Sequence, residues 1–254
     1  MKLHLHQFLA KSGKFKSKSA TLSAVKEGKI MIDGIPITSP MYRFNPEKKK
    51  VAFMGEEIKI VAEKIYIILN KPEGYLSTRL SAEVKRLGKR SFIDLLKKDA
   101  ALTEDKLNML FPVGRLDEST SGLLIITNDG PLGYKIASPD NNIEKTYRAE
   151  LRSPLGEKEK KQIESGVTIR ITVDGKRIDY KTKPAKIILS KNPNEVFITI
   201  KEGKHHEVRK IMQATGNHAL KLERIAIGRM NLDALKLPPG EFMFVKKEFI
   251  ISKL

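Results

Sequence analysis

The 254-residue sequence contains no cysteine, which excludes disulfides, thiolate nucleophiles and cysteine-ligated zinc. Its five histidines, His4, His6, His205, His206 and His218, show no metal-binding spacing, so no metal and no cofactor is implied. No run approaches the roughly 18 apolar residues that span a bilayer, and the first residues lack the apolar core of a secretory signal. A soluble, cytoplasmic protein with no membrane association is the expectation. Fixed-period repeats and low-complexity tracts are also missing. Acids are few relative to bases: 30 Asp and Glu stand against 48 Lys and Arg, a formal net charge of +18. That excess favours a polyanionic partner, although charge alone does not separate RNA from DNA or an acidic membrane.

What is present is enough for a real core, since 40% of the residues are hydrophobic and the length suits one large domain or a large and a small one. The most informative stretch is Gly114-Arg115-Leu116-Asp117-Glu118-Ser119-Thr120-Ser121-Gly122, followed by Leu123-Leu124-Ile125-Ile126 and Thr127-Asn128-Asp129-Gly130. The short aliphatic run closed by Asn-Asp-Gly reads as a buried strand. Asp117 therefore sits on a loop held by a rigid element, a common place for a catalytic group, with glycines that permit close backbone approach.

This stretch resembles the catalytic motif of the pseudouridine synthases, in particular the RsuA/RluB/RluE/RluF branch, which acts on ribosomal RNA. That motif reads Gly-Arg-Leu-Asp, two variable residues, Thr, one variable residue, Gly-Leu-Leu, then Thr-Asn-Asp-Gly. All its fixed positions are matched here. The resemblance implies that Asp117 is the catalytic aspartate and that Arg115 enters the space left by an extruded nucleotide.

Residues 1–60 read as a first unit. Leu5, Phe8 and Leu9 form an apolar helical stripe that Gly13 ends, and a second helix begins after the N-cap Ser17 and stops at Gly28. Ile30-Met31-Ile32 and Ile35-Pro36-Ile37 then flank Asp33-Gly34, a strong hairpin signal. Up to residue 30 there are seven lysines and one acid, Glu27, and lysines around two short helices suggest a phosphate-facing surface. This order is similar to the S4 (α-L) RNA-binding domain, although Lys18-Ser19 replaces the usual Arg-Arg and Asp33 the usual Asn. Lys14, Lys16 and Lys18 are its candidate RNA contacts.

The residues from 57 to 64 form a short tether, and a second domain is expected over 65–254. Ile65 to Asn70 reads as a buried strand ending at Lys71-Pro72-Glu73-Gly74-Tyr75, which resembles the Asn-Lys-Pro-X-Gly segment opening this family's catalytic domain. Ser91 to Lys98 reads as a short helix. In Lys145-Thr146-Tyr147-Arg148-Ala149-Glu150-Leu151 the period of two puts Tyr147, Ala149 and Leu151 on one face. A helix over about 157–165 and strands at 167–173, 185–190 and 195–201 follow, with turns at Asp174-Gly175 and Asn192-Pro193-Asn194. The fold class is α+β, with a mixed, mostly antiparallel sheet flanked by helices.

Two further segments resemble family motifs. Lys145-Thr146-Tyr147 matches the second, whose tyrosine stacks on the target base and is placed to take the C5 proton. Lys201 to Met212 matches the third, whose arginine, Arg209 here, pairs with the catalytic aspartate; a guanidinium within about 4–6 Å would keep Asp117 ionised. Glu207 stands where the branch usually carries Gln. Leu222-Glu223-Arg224-Ile225-Ala226-Ile227-Gly228 resembles the stretch beneath the base pocket, with Leu222 as an apolar wall. Arg224, Lys221, Lys71 and Lys204 are further candidate RNA contacts.

The reaction so implied isomerises a specific uridine, extruded from structured RNA, to pseudouridine. Ribosomal RNA, as a stem-loop or assembly intermediate, is the default partner, and the protein would act as a monomer. A hydrolytic glycosidase needs two opposed carboxylates, which the adjacent Asp117 and Glu118 do not supply. An inactive RNA-binding or ribosome-assembly factor on the same fold is the alternative, but such a binder has no need for Asp117, Tyr147 and Arg209 together.

Overall fold

The computed structural model describes residues 2–60 and 63–254. The expected tether includes Val61 and Ala62, which lie outside the described residues. The chain divides into two compact units, one of residues 1–65 with 96–111 and one of residues 66–95 with 112–254.

In the first unit, α1 (Leu5–Ser12) ends at Gly13 with φ 72°, and α2 (Lys18–Lys26) starts where the Ser17 hydroxyl accepts the Ala20 N–H. Strands β1 (Ile30–Ile32) and β2 (Ile35–Pro36) form the expected hairpin. Both turn residues, Asp33 and Gly34, have positive φ of 49° and 80°, the pattern of a type I′ turn. Antiparallel β3 (Val51–Phe53) and β4 (Glu56–Ile58) complete the sheet. Leu5, Phe8, Leu9, Val25, Ile30 and Val51 pack in one core, so the apolar stripe of α1 is the side turned inward.

The second unit is built on a mixed sheet. Its strands are β5 (Tyr66–Lys71), β6 (Thr120–Thr127), β7 (Lys145–Leu151), β8 (Lys186–Leu189), β9 (Glu195–Ile200), β10 (Ala219–Ile227) and β11 (Phe242–Phe244), in spatial order β8-β9-β7-β10-β6-β5-β11. Only the β6–β10 pairing along this path is parallel. Leu123, Leu124, Ile125 and Ile126 of β6 have no exposed surface, as a central strand covered on both faces requires. Asp129 then caps the helix Gly130–Ala137 by accepting the Leu132 N–H, and also accepts from Tyr66 and Lys247 at 2.9 Å each. The Thr-Asn-Asp-Gly end of the motif is thus a strand-to-helix junction.

Along β7, Tyr147, Ala149 and Leu151 face the interior as the period of two requires, and Lys145 shares that face. Beyond the helix Glu157–Ser165, residues Thr168–Val173 pair with Lys176–Lys181 across Asp174-Gly175, both at positive φ. The second of these strands has no sequence signature because almost all of Lys-Arg-Ile-Asp-Tyr-Lys is exposed, leaving no buried face to impose alternation. A last helix important to the site, α3 (Glu207–Ala214), buries Val208, Ile211 and Met212. Among the described residues no helix is long and apolar enough to cross a membrane.

Gly122 is where the parallel pairing is closest. It sits opposite Arg224 in register, with φ 105°, and a Cβ there would overlap the Arg224 carbonyl oxygen and lie 2.7 Å from its nitrogen. Backbone strain and overlap together put the cost of Gly122→Ala at about 3 kcal/mol or more, seen as a lower urea midpoint. Gly130→Ala, whose added methyl meets nothing within 4 Å, is the matched control and should stay within about 1 kcal/mol of the parent.

Candidate active site

The loop carrying Asp117 leaves Gly114, at φ 70°, and enters β6 at Thr120. Backbone bonds hold it in place: Thr120 N–H donates to the Asp117 carbonyl at 3.1 Å, and Gly74 N–H to the Glu118 carbonyl at 2.9 Å. Ser77, 3% exposed, donates to the Leu116 carbonyl at 2.8 Å and accepts its N–H at 3.1 Å. Lys89 binds both Glu118 oxygens, at 2.7 and 2.9 Å. The Lys-Pro-Glu-Gly-Tyr turn therefore braces the Asp117 loop. Ser77 has no recognisable signal in the sequence, because a hydroxyl that brackets one backbone amide follows no pattern.

Asp117 opens onto a cavity of about 130 Å³, whose walls include Arg115, Tyr147, Lys204, His206 and Leu222. The two distant motifs and the apolar wall read from sequence thus meet at one place. Tyr147 is 8% exposed and Leu222 4%, while Arg115 is exposed at the rim. The size is comparable with the roughly 150 Å³ cavity that admits a single benzene ring.

Arg209 is the first correction to the sequence reading. Its guanidinium does not pair with Asp117; it donates to the Ser119 carbonyl at 2.9 Å, the Ser119 hydroxyl at 3.1 Å and the Ala219 carbonyl at 2.7 Å. It clamps the loop two residues beyond the aspartate. The group that meets the Asp117 carboxylate is instead a histidine, with His206 Nε2 3.4 Å from Oδ1. Its ring stacks on that of His205, centroids 3.7 Å apart.

Asp117, His205 and His206 offer donor atoms within 4.8 Å of one another, a grouping their sequence spacing does not announce. A cation must lie in the plane of each imidazole it binds, and two rings stacked 24° from parallel do not share such a point without one of them turning.

Lys71 and Arg224 are the second correction, because neither is a surface phosphate contact. Lys71 is fully buried and donates to the Pro72 and Tyr75 carbonyls at 3.0 and 2.7 Å. Burial lowers its pKa to about 8, against the opposing pull of Glu73, Asp117 and Glu118. Arg224, 2% exposed, donates through Nε to the Leu123 carbonyl at 2.8 Å. Their chemistry suits phosphate and so suggests an outward direction, whereas their places at the end of β5 and in β10 turn them inward. Lys145 is buried as well, and burial followed by repulsion from Arg224 lowers its pKa.

The remaining candidates are nearer solvent. Lys204 lies over the Tyr180 ring, 4.6 Å from its centroid, and Lys221 pairs with Glu150 at 3.2 Å. In the first unit Lys14 pairs with Glu56 at 2.8 Å, Lys16 pairs with Glu104 at 3.1 Å, and Lys18 is exposed.

Beneath the loop preceding α3 lie two buried carboxyl groups, Glu202 at 2% and Glu207 at 4% exposure. Burial alone would raise Glu202, but hydrogen bonds from the Tyr180 hydroxyl at 2.6 Å and the Lys183 N–H at 2.8 Å outweigh it and hold its pKa low. Among the described residues Glu207 accepts only the Lys204 N–H, at 2.6 Å, on Oε2, and Oε1 faces no donor. Burial, then the charge and acceptor of Glu202, raise its pKa to about 8. At neutral pH it is mostly a neutral acid, able to donate a proton to Glu202 as a glutamine amide would.

The chain is similar to proteins of known family. The RNA pseudouridylate synthase family matches residues 65–214. The uncharacterized RNA pseudouridine synthase YtzG of Bacillus subtilis is 35% identical over 249 residues, covering 97% of this chain and 96% of that one. Ribosomal small subunit pseudouridine synthase A of Escherichia coli is 32% identical over 228 residues, 90% of each chain. A crystal structure of a pseudouridylate synthase superposes with a TM-score of 0.65 at 28% identity, covering 99% of this chain and all of the other.

The raised pKa of Glu207 has a definite sign in stability. The folded protein keeps a proton that the unfolded chain releases above the ordinary value of 4.5; the stabilisation is complete below that value and is lost as pH rises through about 8. Glu207→Gln removes this linkage. Between pH 6 and pH 9 the melting temperature of the wild type should fall about 5 °C further than that of the variant, as a thermal melt followed by circular dichroism would record.

Proposed function

We propose that this chain, which belongs to the RNA pseudouridine synthases and is an isomerase acting on RNA, converts one specific uridine of ribosomal RNA to pseudouridine with Asp117 as its catalytic carboxylate. The observation that carries this reading is the single cavity walled by Asp117, Tyr147 and Leu222 with Arg115 at its rim. An extruded uracil lies between Tyr147 and Leu222, and Arg115 occupies the gap left in the stack.

Asp117 acts at C1′ of the ribose, either by attack or by assisting elimination. The N1–C1′ bond breaks, the uracil turns within the cavity, and a C5–C1′ bond forms as the Asp117–C1′ bond of the attack route breaks or, on the elimination route, as the proton taken from the ribose returns. C5 then loses its proton, for which Tyr147 is the candidate acceptor, and N1 gains one, so atoms and charge balance without a cofactor. Tyr147 is suited to this by its place in the cavity wall, 8% exposed, within the same pocket as Asp117. Arg209 supports the chemistry by fixing Ser119, and so the loop, rather than by neutralising Asp117.

Residues 1–60 serve as an S4-like docking module, with Lys14, Lys16 and Lys18 on neighbouring RNA, and 65–254 as the catalytic domain. Lys204 and Lys221 contact phosphates nearer the target. The Escherichia coli relative is named for the small ribosomal subunit, so small-subunit RNA is the first substrate to test.

The test is pseudouridine mapping by carbodiimide adduct and primer extension on small- and large-subunit ribosomal RNA, as transcripts and as assembly intermediates. Wild-type protein should create one new stop. Asp117→Ala should abolish it while RNA binding, measured by filter retention, stays within about threefold. Tyr147→Phe should slow its appearance by about 100-fold, the scale of a lost general base. Folded wild-type protein that binds these RNAs and leaves every uridine unchanged would refute the ribosomal assignment.

A further inference from the structure

We infer that His206 is a positioning residue for the reaction, holding one oxygen of Asp117 so that the other faces the ribose; the inference rests on the reading of Asp117 as the catalytic carboxylate. His206 Nε2 stands 3.4 Å from Asp117 Oδ1. A proton on Nε2, present in one neutral tautomer as well as in the imidazolium, makes that contact an electrostatic attraction, longer than the roughly 2.7–2.9 Å of a charge-assisted hydrogen bond and able to shorten to one when the substrate closes the site. Oδ2 is then left for C1′. A carboxylate held in one rotamer needs no reorganisation when the base arrives.

The backbone supports a functional reason for the histidine. His206 has φ 56° and ψ 31°, in the left-handed region, at the N-cap of α3. Glycine or asparagine adopts that conformation with less strain, and a cap position favours side chains that accept a helix N–H. The His206 side chain makes no capping hydrogen bond. A strained residue that contributes nothing to its own helix end is accounted for by what its ring touches.

The ring and the backbone that carries it have three further features. His205 stacks on one face at 3.7 Å. The Lys210 N–H bonds to the His206 carbonyl at 3.0 Å, tying the residue to the first turn of α3. His206 and Asp117 also form the shared wall between the 130 Å³ cavity and a wider cleft bordered by Glu73, Gly74 and Glu118. Arg209, the residue expected to meet Asp117, is committed to Ser119 and Ala219, so the imidazole occupies the role the guanidinium was to fill.

The experiment compares wild type, His206→Gly, His206→Gln and Asp117→Ala on a uridine-C5-tritiated ribosomal RNA transcript from which the wild type releases tritium, with a thermal melt of each protein. Glycine relieves the left-handed backbone and deletes the donor; glutamine restores an N–H of similar reach. His206→Gly should melt at or above the wild-type temperature yet lose at least tenfold in kcat with KM within about twofold, and His206→Gln should recover part of the loss. If His206→Gly keeps wild-type kcat, or raises KM alone, while Asp117→Ala is inactive, the His206 inference falls and the reading of Asp117 stands. A kcat loss accompanied by a lower melting temperature and no recovery with glutamine would also overturn it, as a structural role. An active Asp117→Ala removes both.

Discussion

The parallel pairing of β6 with β10 is the constraint on which the rest of the second unit depends. Its close approach at Gly122 opposite Arg224 leaves no room for a Cβ. Every part of the site hangs from these two strands. The Asp117 loop runs into β6; β7, which carries Tyr147, lies against the other side of β10; Leu222 is on β10 itself; and the turn that braces the loop ends β5, the antiparallel neighbour of β6. A shift of one residue in that register would exchange the two faces of a strand and take Leu222 out of the cavity wall.

The same pairing explains why the site is underlain by charge. Arg224 has to be buried once it faces Gly122, and Lys71, at the corresponding end of β5, is buried beside it. Unpaired cations in an interior are costly, and here backbone carbonyls of Leu123, Pro72 and Tyr75 receive them. The result is a buried basic region near the Asp117 loop, where Asp117 and Glu118 attract the Lys71 ammonium. The buried acids Glu202 and Glu207 answer the same problem differently, one ionised with two donors and the other mostly neutral.

Arg209 and Glu207 show how a side chain at a motif position keeps a supporting role through different contacts. The arginine acts on the loop backbone instead of on the carboxylate, and the glutamic acid, while protonated, offers the donor that an amide would. In both cases the chemistry retained is geometric: the loop from Gly114 to Ser119 stays fixed on one side of the cavity and the turn leading into α3 stays fixed on the other.

Much of this protein was legible from the chain alone, because its signals are local. The helix stops at Gly13 and Gly28, the Asp33-Gly34 hairpin, the inward face of Tyr147, Ala149 and Leu151, and the Asp117 motif each follow from spacing and from the conformations those residues adopt. The exposed strand Lys176–Lys181 was not legible, since nothing buries it, and neither was Ser77, whose partner Leu116 is far away in sequence. Only the tertiary structure decided which cations are buried, which group meets Asp117, and that His206 does so from a left-handed backbone. Those outcomes depend on distances between strands and loops brought together by folding, and a linear pattern of residue types carries no record of which way a long charged side chain turns once its strand has neighbours on both sides.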